Sequence, residues 1–222
     1  MGTAIADGDR EGVDDLNATT ETIRLETFSD GVFAIAITLL VLEIKVPSIA
    51  EARAVGGLWR ALGQRWPSYL GYIISFITLG IMWANHHAIF QYIRRADRVF
   101  LLLHVLFLMC ISFLPFPTAV LAAHLAAPDE RVTAVVFYSA TLTAIAMAYN
   151  AVWWYGVSGG RLLGREVDPD GLHTISQRYR LGPPAYLVSV GLAYVSVAAS
   201  LTLHVVLALL FALPERRKKR HS

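Results

Sequence analysis

Charge is scarce in this chain, and the scarcity is uneven. Only 16% of the residues are Asp, Glu, Lys or Arg, 55% are hydrophobic, and the mean hydropathy is +0.51. A water-soluble domain keeps about a quarter of its residues charged to cover its surface, so a soluble enzyme of ordinary composition is excluded. An excess of either sign is missing too. The formal net charge of +2 offers no electrostatic case for nucleic acid as a partner. Cysteine occurs once, as Cys110 inside an apolar run, which excludes an intrachain disulfide and reads as a small buried or lipid-facing residue. Nucleophile elbows, phosphate loops and dinucleotide glycine fingerprints are absent, as are a Thr-Val-Gly-Tyr-Gly filter and an arginine-repeat voltage sensor. No His-x-x-x-His pair occurs among the seven histidines, so no metal or other cofactor is expected.

What the chain does have is long stretches without charge, and a bilayer core needs about 20 mostly apolar residues per helix. Five such stretches stand out. The first, around Gly31 to Leu42, extends in helical phase from about Arg24 to Val46, where Pro47 ends it. The second is Trp66 to Ile93, with Pro67 in its first turn. The third, Val99 to Pro128, contains Pro115 and Pro117, and the fourth is Val132 to Gly160. The fifth, Leu181 to Pro214, would reach roughly 50 Å as one helix, against a hydrocarbon core of about 30 Å.

Basic residues decide how to divide the fifth stretch, because cytoplasmic loops carry their excess. With six spans, fourteen Lys and Arg fall on one side and five on the other; with five spans the split is nine against ten. The sequence therefore predicts an all-α polytopic membrane protein of six spans, the last two short: Pro183 to about Val197 and Ser200 to about Leu213, with a turn near 198–200. Both termini are expected in the cytoplasm. Residues 1–23 hold five acidic residues before Thr19 and no apolar core, which reads as a flexible polar tail rather than a cleavable signal peptide. Residues 24–213 form the membrane domain, and 214–222 a basic tail at the membrane surface.

In a membrane protein the informative residues are polar groups that lipid should expel, since a charge at the bilayer centre costs about 2.5–3.5 kcal/mol even on the lenient insertion scale. Arg24, Ser29 and Asp30 open the first span, and Trp83, Asn85, His86, His87 and His104 punctuate the second and third. On an ideal helix Arg24 and Asp30 lie about 120° apart, so each needs a partner on another helix. Further along the first span, Leu39, Leu42 and Thr38 project at about +40°, −20° and −60° from Ile35, a stripe about 100° wide, and Asp30 projects near −140°. By itself such a stripe signifies lipid or packing contact.

The sequence Arg24-x-x-x-Phe28-Ser29-Asp30, followed by Ala-Ile-Ala-Ile-Thr-Leu-Leu-Val-Leu-Glu, resembles the transmembrane protein 175 family of potassium channels in its short bacterial form. The likeness continues through Trp83, His86, Phe90 and Asp97 to Phe113-Leu114-Pro115-Phe116-Pro117-Thr118. His104 departs from it, where many relatives look as if they carry asparagine. The resemblance implies a homotetramer in the bacterial inner membrane that passes potassium ions with weak selectivity, its pore lined by the first helix of each subunit. Ile35, Leu39 and Leu42 would form apolar rings, Ile35 the main constriction, with Thr38 a polar layer. Arg24, Phe28, Ser29 and Asp30, with Trp83, His86 and His104, would anchor that helix. Two alternatives stand beside this one: a proton-conducting or proton-coupled transporter using Asp30 with His86 or His104, and a membrane metalloenzyme built on the histidines.

Overall fold

A computed structural model describes the backbone of residues 3–164 and 167–212, and the side chains from residue 20 onward within those ranges. The basic tail expected at 214–222 lies outside the described residues. Everything described is helix or connection; the one β pairing among these residues is an isolated bridge between Ile93 and Leu163.

Helix α1 runs from Thr3 to Leu39 and tightens into a 3-10 turn over Leu40–Glu43. The sequence reading started this helix near Arg24 behind a flexible tail, whereas the backbone is already helical at Thr3. No proline stands before Pro47 to interrupt it. Two short helices follow, α2 (Ile49–Ala54) and α3 (Leu58–Gln64). A capping box starts α2: the Glu51 N–H donates to Ser48 Oγ at 3.2 Å, and the Ser48 N–H donates to the Glu51 carboxylate at 2.7 Å.

Helix α4 (Trp66–Tyr92) begins on Pro67, as expected. The third stretch is one kinked rod made of α5 (Arg98–Phe113) and α6 (Pro115–His124). Pro115 lacks the N–H that would reach Ile111, and Leu114 N–H takes that carbonyl instead at 3.2 Å. Helix α7 (Arg131–Val157) is the most buried rod, and α8 (Pro169–Arg180) lies on the connection after it.

The fifth stretch folds back on itself as α9 (Gly182–Val195) and α10 (Val197–Ala212). Its turn falls at Ser196, earlier than the 198–200 expected from sequence. Ser196 is extended (φ −157°, ψ 113°), and its hydroxyl caps α10 by accepting the Ala199 N–H at 3.2 Å. Ser200 Oγ reaches the Ser189 carbonyl at 2.8 Å and the Tyr186 and His204 rings stack at 5.8 Å, so the two short helices are antiparallel. Among the described residues four rods are long and apolar enough to cross a membrane: 20–43, 66–92, 98–124 and 131–160.

Close packing at one glycine fixes where α7 meets the α4–α5 turn. A Cβ on Gly156 would collide with Ile93 Cδ1 and lie 3.0 Å from Phe100 Cε2. Gly156→Ala is expected to cost about 1–3 kcal/mol by overpacking, read as a lower midpoint in thermal unfolding.

Candidate pore-lining site

The two faces of α1 differ in kind. Leu25, Ser29, Phe33, Ala36 and Leu40 recur every three or four residues and are buried against α4 and α5. On the opposite face Ile35 is 62% exposed, Leu39 41% and Leu42 63%, with Thr38 exposed between them. The stripe deduced from helical spacing is therefore turned away from the subunit's own core. Leu42 reaches it by a different geometry, since it lies in the 3-10 turn and not in the α-helix. Of the four long spans α1 also gives the smallest share of itself to the subunit interior, 28% against 39, 39 and 50%. It stands at the edge of the bundle with one face unengaged.

Thr38 Oγ1 donates to the Ile35 carbonyl at 2.9 Å. The hydroxyl hydrogen is thereby committed to the helix, and the oxygen lone pairs remain available on the exposed face to accept a donor or meet a cation.

The support behind the stripe is partly what the sequence led one to expect. Trp83 Nε1 donates to Asp30 Oδ1 at 2.8 Å, which ties α1 to α4 and gives Asp30 the interhelical partner it needs. A second tie joins Glu26 Oε1 to His87 Nδ1 at 2.7 Å. Ser29 is fully buried but bonds within α1, its hydroxyl donating to the Leu25 carbonyl at 2.8 Å. Phe28 was expected to pack inward and is instead exposed, because it projects about 20° from Ile35, on the stripe side. Arg24 is exposed on that same side, and nothing among the described residues pairs with it.

His86 and His104 do come together, with ring centroids 5.4 Å apart and both rings fully buried. They form part of an aromatic cluster with Phe33, Phe90, Phe100 and Phe107. Asp30 is bonded to Trp83 rather than to either histidine, so these contacts do not link the three groups into a proton path. Among the described residues no group of three or more His, Cys, Asp or Glu side chains is placed to hold a metal ion. Sequence reasoning passed over Phe33, which brings α1 into this cluster through its contacts with His86 and Phe107. The signal was present, as the second apolar stripe of α1 on the face opposite Ile35.

The Trp83–Asp30 tie predicts a selective effect. Trp83→Phe keeps the ring and deletes the donor, and is expected to cost about 1.5–3 kcal/mol, the range for a hydrogen bond to a charged group. Thermal unfolding of Trp83→Phe, Asp30→Asn and the double variant checks it, since a direct bond makes the two losses non-additive.

A further knot, centred on Asp97, which the sequence reading named without giving it a role or partners, closes the end of the bundle where α4 turns into α5. Asp97 caps α5 by accepting the Phe100 N–H at 2.8 Å, accepts the Tyr155 hydroxyl at 2.8 Å, and pairs with Arg161 at 3.1 Å. Desolvation pushes its carboxyl up, but the Phe100 N–H, the Tyr155 hydroxyl and the Arg161 guanidinium outweigh it and hold the pKa below the usual carboxylate value. A carboxylate depressed in the folded state contributes stability above its unfolded pKa of about 3.9 and loses it as pH falls through the folded value. The wild type is therefore expected to lose part of its stability as pH falls below about 4, and Asp97→Asn to flatten that limb, as measured by unfolding between about pH 2 and 6.

The bundle and its anchored, outward-facing stripe define a polytopic α-helical membrane protein whose first span leaves one apolar face outside the subunit core. A family model described as the endosomal/lysosomal potassium channel TMEM175 matches residues 24–115. The chain is 46% identical over 191 residues to a potassium channel of Streptomyces collinus, covering 86% of this chain and 91% of that one. It is likewise 46% identical over 194 residues to a potassium channel of Chamaesiphon minutus, covering 87% and 95%. The fold is similar to the crystal structure of a potassium-selective TMEM175 homologue from Chamaesiphon minutus, with a TM-score of 0.80 and 43% identity over 87% of this chain and 97% of that one. The chain belongs to the TMEM175 family of ion channels.

Proposed function

We propose that the protein is a potassium-permeable, weakly selective cation channel, a homotetramer whose pore is lined by α1 of each subunit. The observation that carries this reading is the exposed stripe of Ile35, Thr38, Leu39 and Leu42 on a helix whose other face is fixed to α4 and α5. Four copies of such a stripe around an axis give successive apolar rings. Narrow apolar rings exclude ions by dewetting, and a small widening wets them and admits ions. Ile35 is the principal constriction, and the Thr38 oxygens replace part of an ion's hydration shell. Asp30, Trp83, His86 and Phe33 set the position of α1 from behind. The similar potassium channels support the choice of ion.

The protein sits in the bacterial inner membrane with both termini cytoplasmic, as the distribution of basic residues favours. Residues 1–23 and 214–222 then lie on the cytoplasmic side of the channel unit at 24–213, and Arg24 stands at the cytoplasmic mouth. Purified protein reconstituted into liposomes, with a potassium gradient and a proton carrier to balance charge, tests the reading. Potassium flux that scales with protein and falls when sodium replaces potassium is expected. Vesicles no leakier than empty liposomes would contradict it.

A further inference from the structure

On the side of α4 that faces away from α1, a cleft of about 50 Å³ lies between α4, α7, α9 and α10. Much of its wall is apolar, from Met82, Ala146 and Ala208, with polar groups contributed by Thr78 and Asn85 of α4 and by Tyr149 and Asn150 of α7. Asn150 is fully engaged as a donor, giving its amide hydrogens to the carbonyls of Ala146 and Tyr179 at 2.9 and 3.0 Å. Tyr179 gives its hydroxyl hydrogen to the Asn85 carbonyl at 3.3 Å.

Thr78 and Tyr149 differ from these. They are 2% and 7% exposed, and neither hydroxyl makes a well-formed hydrogen bond to a described residue, Tyr149 having only a looser interaction with the neighbouring Tyr179. A buried hydroxyl without a full partner is destabilising, and two of them line one cleft, Thr78 from α4 and Tyr149 from α7. We propose that the cleft is an intramembrane water-binding site, in which water bridges Thr78 Oγ1 and Tyr149 Oη between α4 and α7. A water needs about 10–15 Å³ of cavity volume and two or more polar partners, and this cleft supplies both. Each hydroxyl both donates and accepts, as water does, whereas an apolar occupant would leave both without a full partner. The site is separate from the pore stripe. Trp83, which ties α4 to Asp30 of α1, projects from the other side of α4.

The test is a double-mutant cycle with nearly isosteric changes, Thr78→Val and Tyr149→Phe, read by thermal unfolding of the full-length protein in detergent. With water in the cleft, each single variant lowers the midpoint by about 2–4 °C, the equivalent of ~1 kcal/mol in a chain of this size. The double variant falls no further than the worse single, because the first change already releases the bridge. The proposal is overturned if both singles leave the midpoint unchanged or raise it, the response of a dry cleft relieved of an unpaired hydroxyl. It is equally overturned if two losses simply add.

Discussion

Ile35→Asn is expected to raise sodium permeability relative to potassium by about tenfold in the reconstituted channel, a change that ~1.4 kcal/mol of barrier height produces. In the proposed tetrameric pore the substitution places four amides where Ile35 forms the narrowest ring, so the constriction wets and an ion crosses it with more of its hydration shell. Discrimination that depends on stripping that shell is then lost. Ile35 is 62% exposed and outside the subunit core, so the variant should fold and unfold like the parent. Bi-ionic reversal potentials provide the measurement, with Ile35→Val, which keeps the ring apolar, as the control. Unchanged selectivity and conductance in Ile35→Asn would remove Ile35 from the pore.

Phe33→Ala carries the largest expected effect on stability. Phe33 is 1% exposed and touches both helices that hold α1, its ring 5.5 Å from His86 and 5.9 Å from Phe107. Truncating a buried phenylalanine costs about 3–5 kcal/mol through lost transfer energy and the cavity left behind. The unfolding midpoint should fall by about 10 °C, whereas Ile35→Val, two positions away on the opposite face, should leave it nearly unchanged. That contrast between neighbours is the signature of a helix anchored on one side only. Equal losses in the two variants would mean that the α1 stripe is buried in the assembly as firmly as its core face.

The distribution of charge carried the architecture, since the breaks between rods fall where charged residues interrupt apolar stretches. Proline read well at Pro67, which opens α4 as expected, whereas the kink at Pro115 in the third rod is a feature the sequence reading did not place. The closing hairpin was legible only through basic-residue counting, and its turn was misplaced by a few residues. Ser196 turns the chain by a local hydroxyl cap, and Ser200, which lay inside the expected turn, instead bonds across to Ser189.

At the site, helical projection placed Ile35, Thr38, Leu39 and Leu42 on a common face, and the structure exposes all four. The same arithmetic, applied to Leu25, Ser29, Phe33, Ala36 and Leu40, would have exposed the anchoring face. What spacing could not supply was pairing between helices. Asp30 chose Trp83 over two histidines, and Asp97 gathered Tyr155 and Arg161 from more than fifty residues away. Such choices depend on the relative rotation of packed helices, which no single helix encodes.

The central claim, that α1 lines a shared axis, is tested most directly by a structure of the full-length protein in a lipid nanodisc. The account predicts four copies around one axis, with Ile35, Leu39 and Leu42 of every copy turned toward it and Thr38 between the rings. A structure in which those side chains face lipid, or in which no axis passes along α1, would contradict it.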